Sequence, residues 1–302
     1  MLELYDRAMT SRAWAAFAGL SLIWGVPYFF IKVALRELSP AGVVWGRVAL
    51  AAVMLLPLAW RRGALRGLGS RIRPITAFAF VEVVLPFLLI ALGERWISSS
   101  LTAILMATVP LMVVVLAPWF ALSERPGRRR LAGLGLGLAG VVALLGIDVA
   151  GRPLELLGAA CVLTAAVGYA VGPLLAQRYL AGIHPLGPVS VSLAISTVVL
   201  TVPAVLTVPS RLPSPAVLGA VAVLGLACTA PALVLYLFLV AEAGAARASV
   251  VTYVNPAVAV LLGVSVLGER LGVVSVAGLV LILMGSWLAT GRDASAPAGA
   301  EA

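Results

Sequence analysis

The sequence predicts an all-α, polytopic membrane protein of ten transmembrane helices built as an inverted five-plus-five repeat. Three observations predict it. First, 62% of the 302 residues are hydrophobic and 11% are charged, against about 25% charge in a soluble domain; a water-soluble core cannot use that much apolar surface. Second, the apolar residues gather into ten segments of roughly 18 to 25 residues, the length that crosses the hydrocarbon of a bilayer as a helix. Third, the chain repeats itself about 145 residues on: Glu124-Arg125 returns as Glu269-Arg270, Gly133 and Gly140 as Gly278 and Gly285, and Pro110 as Pro256 one residue further along. Each copy holds five segments, and an odd-numbered unit joined head to tail enters the membrane from opposite sides. The boundaries that follow are a cytoplasmic tail 1–12, a first repeat 13–148, a second repeat 149–290 and a cytoplasmic tail 291–302.

The segments justify themselves in order. Segment 13–35 is too long for a signal h-region and lacks a small-residue cleavage site; Trp24, Tyr28 and Lys32 recur at i, i+4 and i+8 on one helical face, and Pro27 interrupts it. Segment 41–60 holds Arg47 close to one end, where a helix-end anchor is the favoured role over a contact to a substrate carboxylate. Segment 74–93 carries Glu82, the one acid near the centre of any segment, four residues before Pro86. Burying an unpaired carboxylate in a bilayer costs several kcal/mol, so Glu82 carries a proton, meets a substrate amine, or bonds a carbonyl that Pro86 frees. Segment 100–122 is interrupted at Pro110. Segment 131–148 contains Gly135-Leu-Gly137-Leu-Ala-Gly140, which matches the dinucleotide fingerprint by letter but lacks the preceding strand and following acid; these glycines are expected to let helices approach closely in lipid.

The second half repeats the logic. Segment 155–177 sets Tyr169, Pro173 and Gln177 in the register of Trp24, Tyr28 and Lys32, so an aromatic begins and a hydrogen-bonding residue ends both faces. Segment 186–207 follows; segment 216–240 contains Pro231 and Tyr236. Segment 246–267 has a dense polar cluster, Thr252, Tyr253 and Asn255, against Pro256, and segment 272–290 has the glycine pair without a proline. A proline inside a span removes a donor and frees a carbonyl that lipid cannot satisfy. Pro27, Pro86, Pro110, Pro173, Pro231 and Pro256 therefore mark six helices as cavity-facing or hinge-bearing. The fifth and tenth segments are expected to pack in equivalent ways as scaffold or subunit contact.

The net charge of +9 is a topology signal. With the N-terminus in the cytoplasm, roughly 14 of the 21 basic residues fall inside, including the clusters at 61–73 and 125–130, as the positive-inside rule requires. No aromatic stacking platform accompanies the arginines, so nucleic acid is not an expected partner. Cys161 and Cys228 sit apart in apolar segments and read as packing residues; the one histidine, His184, reads as a loop residue. Neither a metal site nor a catalytic dyad can be assembled from this set, so no catalytic residue, metal or cofactor is expected and the chain is not expected to be an enzyme.

Ile23-Trp24-Gly25 leading to Lys32, then Arg47, Gly93-Glu94-Arg95 and Ser98-Ser99-Ser100, followed by Gly168-Tyr169-Ala170, Ala245-Ala246-Arg247-Ala248-Ser249 and Asn255-Pro256, resemble the EamA-type branch of the drug/metabolite transporter superfamily, over about residues 13 to 290. The ordered set, with the repeat, carries the resemblance. It implies ten helices, a central cavity between the repeats, and export of small metabolites, often amino acids, from bacterial cells; the chain is similar in particular to the aromatic and amino-acid exporters of that branch. The expected function is a secondary transporter in the bacterial plasma (inner) membrane, with a small amphipathic substrate, lipid as its surroundings, and monomer and homodimer both open. Trp24, Tyr28, Glu82, Tyr169, Tyr236, Tyr253 and Asn255 are the expected substrate contacts, with Lys32 and Arg47 as candidate charge contacts. A carrier for cationic drugs, with Glu82 as counter-charge, or for nucleotide-sugars is the alternative, ahead of a membrane enzyme or scaffold.

Overall fold

The structure, a computed structural model, describes residues 10–121, 127–145 and 152–290. The Glu124-Arg125 pair and most of both tails lie outside the described residues. Those that are described form helices and connections with no strand. The helical rods are α1 (Ser11–Ala34), α2 (Pro40–Arg61), α3 (Leu68–Gly93), α4 (Ser99–Phe120), α5 (Arg128–Ala143), α6 (Pro153–Tyr179), α7 (Leu186–Val205), α8 (Pro215–Ala243), α9 (Ala245–Leu267) and α10 (Val273–Thr290). Eight are long and apolar enough to cross a membrane; α5 and α10 are shorter. The chain is a multi-pass membrane protein: large apolar side chains such as Val53, Val198 and Leu261 remain exposed on the outside of the bundle, where lipid replaces water as solvent.

Local chemistry sets the ends of the rods. Thr10 caps α1, Ser39 caps α2 and Ser98 caps α4, each hydroxyl accepting from a backbone N–H three residues on, at 3.2, 3.0 and 3.1 Å; this satisfies donors that a helix start leaves free. Four rods are broken inside. α1 stops at Gly25 and restarts at Pro27, α4 pauses at Ala107 and Thr108 before Pro110, α8 pauses at 227–229 before Pro231, and α9 tightens to a 3₁₀ turn over Ser249–Tyr253 before Asn255-Pro256. α3 instead widens to a π-helical turn over Ala79–Val84, just ahead of Pro86. α6, unlike these rods, runs unbroken through Pro173. Here Gly168 and Gly172 let α3 lie hard against α6, a Cβ on the first meeting the Val81 carbonyl and the Pro86 ring, and close packing is what lets a spanning helix keep a proline.

α5 and α10 pack on each other through the repeated glycines. A Cβ on Gly133 would strike the Gly285 carbonyl, and one on Gly140 the Gly278 carbonyl. These are backbone-to-backbone approaches of the kind small residues permit in lipid, and neither helix reaches the central cavity described below.

Contacts between rods fix their relative directions. α1 ends beside the start of α4, where Lys32 Nζ donates to the carbonyls of Glu94 and Ile97 at 2.5 and 2.8 Å. α6 ends beside the end of α4, where Arg178 donates to the Phe120 carbonyl at 2.6 Å. The first helices of the two halves thus run in opposite senses along α4.

Candidate functional site

Midway along the bundle the broken rods leave a cavity of about 40 Å³, room for one or two waters. Its wall comes from all six proline-marked helices, α1, α3, α4, α6, α8 and α9, and from α2 through Arg47. Trp24, Tyr28, Phe87, Tyr169 and Tyr236 supply aromatic faces; Ile31, Ile90, Met106, Val109 and Leu233 supply aliphatic ones. Trp24 packs on Tyr236 with ring centroids 4.7 Å apart, and Phe87 meets Tyr169 edge to face at 6.3 Å. The aromatic register read along α1 survives the break at Val26, because Trp24 before it and Tyr28 after it both reach the cavity.

One basic and one acidic side chain enter this wall. Arg47, expected as a helix-end anchor, is instead 5% exposed and part of the cavity. Its Nε donates to Thr229 Oγ1 at 2.5 Å, and its guanidinium lies over the Phe87 ring at 3.8 Å. Thr229 is free to do this because it sits in the break of α8, its hydroxyl also donating to the Leu224 carbonyl at 2.7 Å. Stacking and a single bond to Nε fix the plane of the guanidinium while its outer edge keeps the fork that suits a carboxylate. Opposite in chemistry is Glu82, 1% exposed, on the π-turn of α3. Its Oε2 has no hydrogen-bond partner, and its carboxylate lies against Gly172 so closely that a Cβ there would overlap it. A π-turn adds a residue to one helical turn and recurs at functional sites; here it coincides with the buried acid.

Asn255 also lines the cavity; with its amide nitrogen turned to the Val251 and Ser21 carbonyls, 3.2 Å from each, it ties α9 to α1. Two expected contacts stand apart from the cavity lining in this structure. Tyr253 is outside the cavity lining, because the 3₁₀ turn rotates it away while Thr252 and Asn255 face in. Lys32 is outside it too, drawn to the two carbonyls at the α3–α4 corner. Cys228, read as packing, lines the cavity beside Thr229.

The two ends beyond the cavity differ. At the end where α1 finishes, the halves are tied together. Glu269 accepts from the backbone N–H and hydroxyl of Ser99, both at 2.8 Å, and from the N–H and hydroxyl of Ser100, at 3.0 and 2.5 Å. Gly268, at φ +68°, makes the turn after α9 that sends Glu269 back across to α4. Partial burial of the Glu269 carboxyl opposes ionisation, but the bonds from Ser100 and Ser99 outweigh it and hold the group below the usual carboxylate range. Glu37 adds an exposed tie to Ser214, accepting from its N–H at 2.6 Å and its hydroxyl at 2.7 Å, and these bonds likewise lower its carboxyl. Ser39 and Thr207 hydroxyls meet at 2.6 Å. At the opposite end a hollow of about 560 Å³ opens between α4, α6, α7 and α8, lined by Phe120, Gln177, Arg178, Ile183, Leu237 and Glu242 among others.

Sequence reading missed Glu94. It follows the apolar run of α3, yet it is fully buried and neither carboxylate oxygen has a partner among the described residues. Gly93-Glu94-Arg95 stands in the set that carries the family resemblance, but its burial is not readable locally, since the helices that cover it come from both halves.

Comparison with known proteins gives the family. The profile described as "EamA-like transporter family" matches twice, over residues 12–146 and 156–291. The chain is 27% identical to "Uncharacterized inner membrane transporter YedA" of Escherichia coli strain K12, covering 93% of this chain and 94% of that one. It is 25% identical to an "Uncharacterized transporter" of Archaeoglobus fulgidus, over 92% and 98% of the two chains. A solved structure described as "Crystal structure of protein" superposes with a TM-score of 0.69 at 19% identity, over 93% of this chain and 98% of that one, a likeness of fold. Two tandem matches that together span most of the sequence make this chain a member of the EamA-like transporter family, within the drug/metabolite transporter superfamily.

Proposed function

We propose that this transporter exports small amphipathic metabolites, amino acids with aromatic side chains among them, by alternating access through the cavity between two inverted five-helix repeats. The observation that carries the reading is the pairing of Arg47 and Glu82 in one aromatic-walled cavity. An amino acid has an anionic and a cationic group on one carbon and an apolar remainder. Arg47 is held to receive the carboxylate by its fork, Glu82 to receive the ammonium at its carboxyl group, and the aromatic wall to receive the side chain. No covalent step is required.

The cavity volume supports a gated cycle. At about 40 Å³ the site has collapsed on itself, and a substrate enters only as the interrupted helices shift. The tied end is the outer one and the hollow end cytoplasmic in this proposal, because the arginine-rich connections 61–73 and 125–130 then lie inside; α5 and α10 complete ten spans, and both termini are cytoplasmic. Labelling of a cysteine at Arg66 from outside intact cells would contradict that orientation. The hollow beneath the cavity suits loading from the cytoplasm, hence export.

The test uses purified protein in nanodiscs and three ligands of one shape: phenylalanine, phenethylamine, which lacks the carboxylate, and 3-phenylpropionate, which lacks the amine. Phenylalanine should stabilise the protein against heat more than either analogue. Arg47→Gln should abolish its advantage over phenethylamine, and Glu82→Gln its advantage over phenylpropionate. Equal binding of phenethylamine and phenylalanine by the unaltered protein would instead establish a cationic substrate with Glu82 as sole counter-charge.

A further inference from the structure

Glu94 is the buried acid that the reading above leaves idle. It closes α3 at the tied end, between the cavity and the Glu269 clasp, is completely buried, and offers two carboxylate oxygens to no donor among the described residues. An ionised carboxylate so placed would carry an uncompensated desolvation cost, and such groups shed it by taking a proton. The groups that face it have other engagements. Lys32 of α1 donates to the Glu94 and Ile97 backbone carbonyls rather than to the carboxylate. Arg47 of α2 puts its Nε on Thr229 and its face on Phe87 and, although its charge reaches Glu94, makes no bond to it, while Glu269 takes the bonds of Ser99 and Ser100. Tyr28 of α1 is within electrostatic reach, and Cys161 of α6 packs on the neighbouring Gly93. The closed end thus contains a cation one residue's reach from an acid that it does not touch.

We propose that Glu94 is the proton-coupling residue of this gate: it holds a proton while the end is closed and gives it to water when the end opens, its carboxylate then taking Lys32 from the two carbonyls. The proton balance is one proton bound by the closed form and released by the open form, with no bond made or broken except O–H. The switch is built from the same contact that shuts the end, because Lys32 can hold the α3–α4 corner by its carbonyls or pair with the carboxylate, and only the first binds α1 to that corner's backbone. High pH on that face therefore favours opening and low pH closing. This rests on the transport reading for its purpose but not for its measurement.

The experiment places spin labels at Arg95→Cys and Arg270→Cys, both exposed on the tied end, in protein with Cys161→Ala and Cys228→Ser, and reads the distance distribution in nanodiscs from pH 5 to pH 9. The open-to-closed ratio should rise with pH by up to tenfold per unit, the limit for one proton. Glu94→Gln should stay closed across the range, and Glu94→Asp should keep a pH response. A pH-independent ratio in the parent, or an unchanged response in Glu94→Gln, would overturn the proposal; if Glu94→Gln does not fold, a Lys32→Gln variant that keeps the parent's full response does the same. A gate that responds through Glu94 in a protein that binds none of the three ligands above would leave the proposal standing and remove the substrate reading.

Discussion

The Glu269 clasp offers a perturbation whose size can be worked from the structure. Its carboxylate takes four hydrogen bonds from Ser99 and Ser100, two on each oxygen, all between 2.5 and 3.0 Å. Glu269→Gln leaves one oxygen to accept and turns an amide group on the donors of the other serine, so two charge-assisted bonds are lost. At the low end of about 1.5 kcal/mol for each such bond, taken because Glu269 is only half-buried, the closed end loses about 3 kcal/mol, which is more than a hundredfold in its equilibrium with the open form. The spin-label pair at Arg95 and Arg270 reads that shift directly. Ser99→Ala with Ser100→Ala removes the two hydroxyl bonds but keeps the backbone ones, and should give a smaller shift in the same direction. Acid tests the sign. A carboxyl held below its usual range contributes to closure fully above the ordinary carboxylate value and loses that contribution as pH falls through the lowered one, so the clasp should slacken only in strong acid. Any opening between pH 6 and 8 belongs to another group. If Glu269→Gln leaves the distance distribution and the melting temperature unchanged, the clasp is not what closes this end.

Two further outcomes follow from packing. Trp24→Ala or Tyr169→Ala should cut transport in proteoliposomes by tenfold or more with little change in melting temperature, since both side chains are half-buried wall residues; normal transport with losses mapping to α5 and α10 would move the site elsewhere. Gly285→Val should destabilise the α5–α10 pair by about 1–3 kcal/mol, the usual cost of overpacking, because its Cβ overlaps the backbone of Gly133 and Gly137; a melting temperature equal to the parent's would refute that backbone contact.

How much of this was legible in the sequence depended on whether a residue's role came from its own helix or from a neighbour. The interruptions at Pro27, Pro110, Pro231 and Pro256 were legible because a missing N–H acts within its own rod. That the glycines of α5 and α10 serve close packing was legible because they repeat at one spacing; that the two helices pack on each other was not. Arg47 was not: its distance from the helix end argued for an anchor, and only the break in α8 that frees Thr229 draws it inward. Tyr253, expected with Thr252 and Asn255 as one polar cluster, stands apart from the cavity lining, on a 3₁₀ turn that the sequence does not announce. Glu94 failed because burial by α1 and α6 is a tertiary fact, and a one-dimensional hydropathy run stops one residue short of it.

The shared register of Lys32 and Gln177 carries the argument one step further. Each ends the cavity-facing stripe of the first helix of its half, and each reaches the start of the fourth helix of a half: Lys32 the corner that leads into α4, Gln177 the N–H of Ala245 at the start of α9, at 2.8 Å. One position therefore does one job at both ends of the bundle. The two residues differ in strength. A lysine holds two carbonyls with a charge at the tied end, whereas a glutamine oxygen accepts one neutral bond beside the 560 Å³ hollow. A charged acceptor in place of Gln177 would bring the two ties closer in strength, and a transporter tied equally at both ends has no preferred direction in which to rest. Exchange of the weaker tie for a stronger one tests this: Gln177→Glu, whose carboxylate accepts from the same Ala245 N–H with a charge, should close the hollow end and shift the resting population toward the form open at the Lys32 end, read as a longer Arg95–Arg270 label distance. An unchanged distance would mean that the register is a relic of duplication with no part in setting which end stands open.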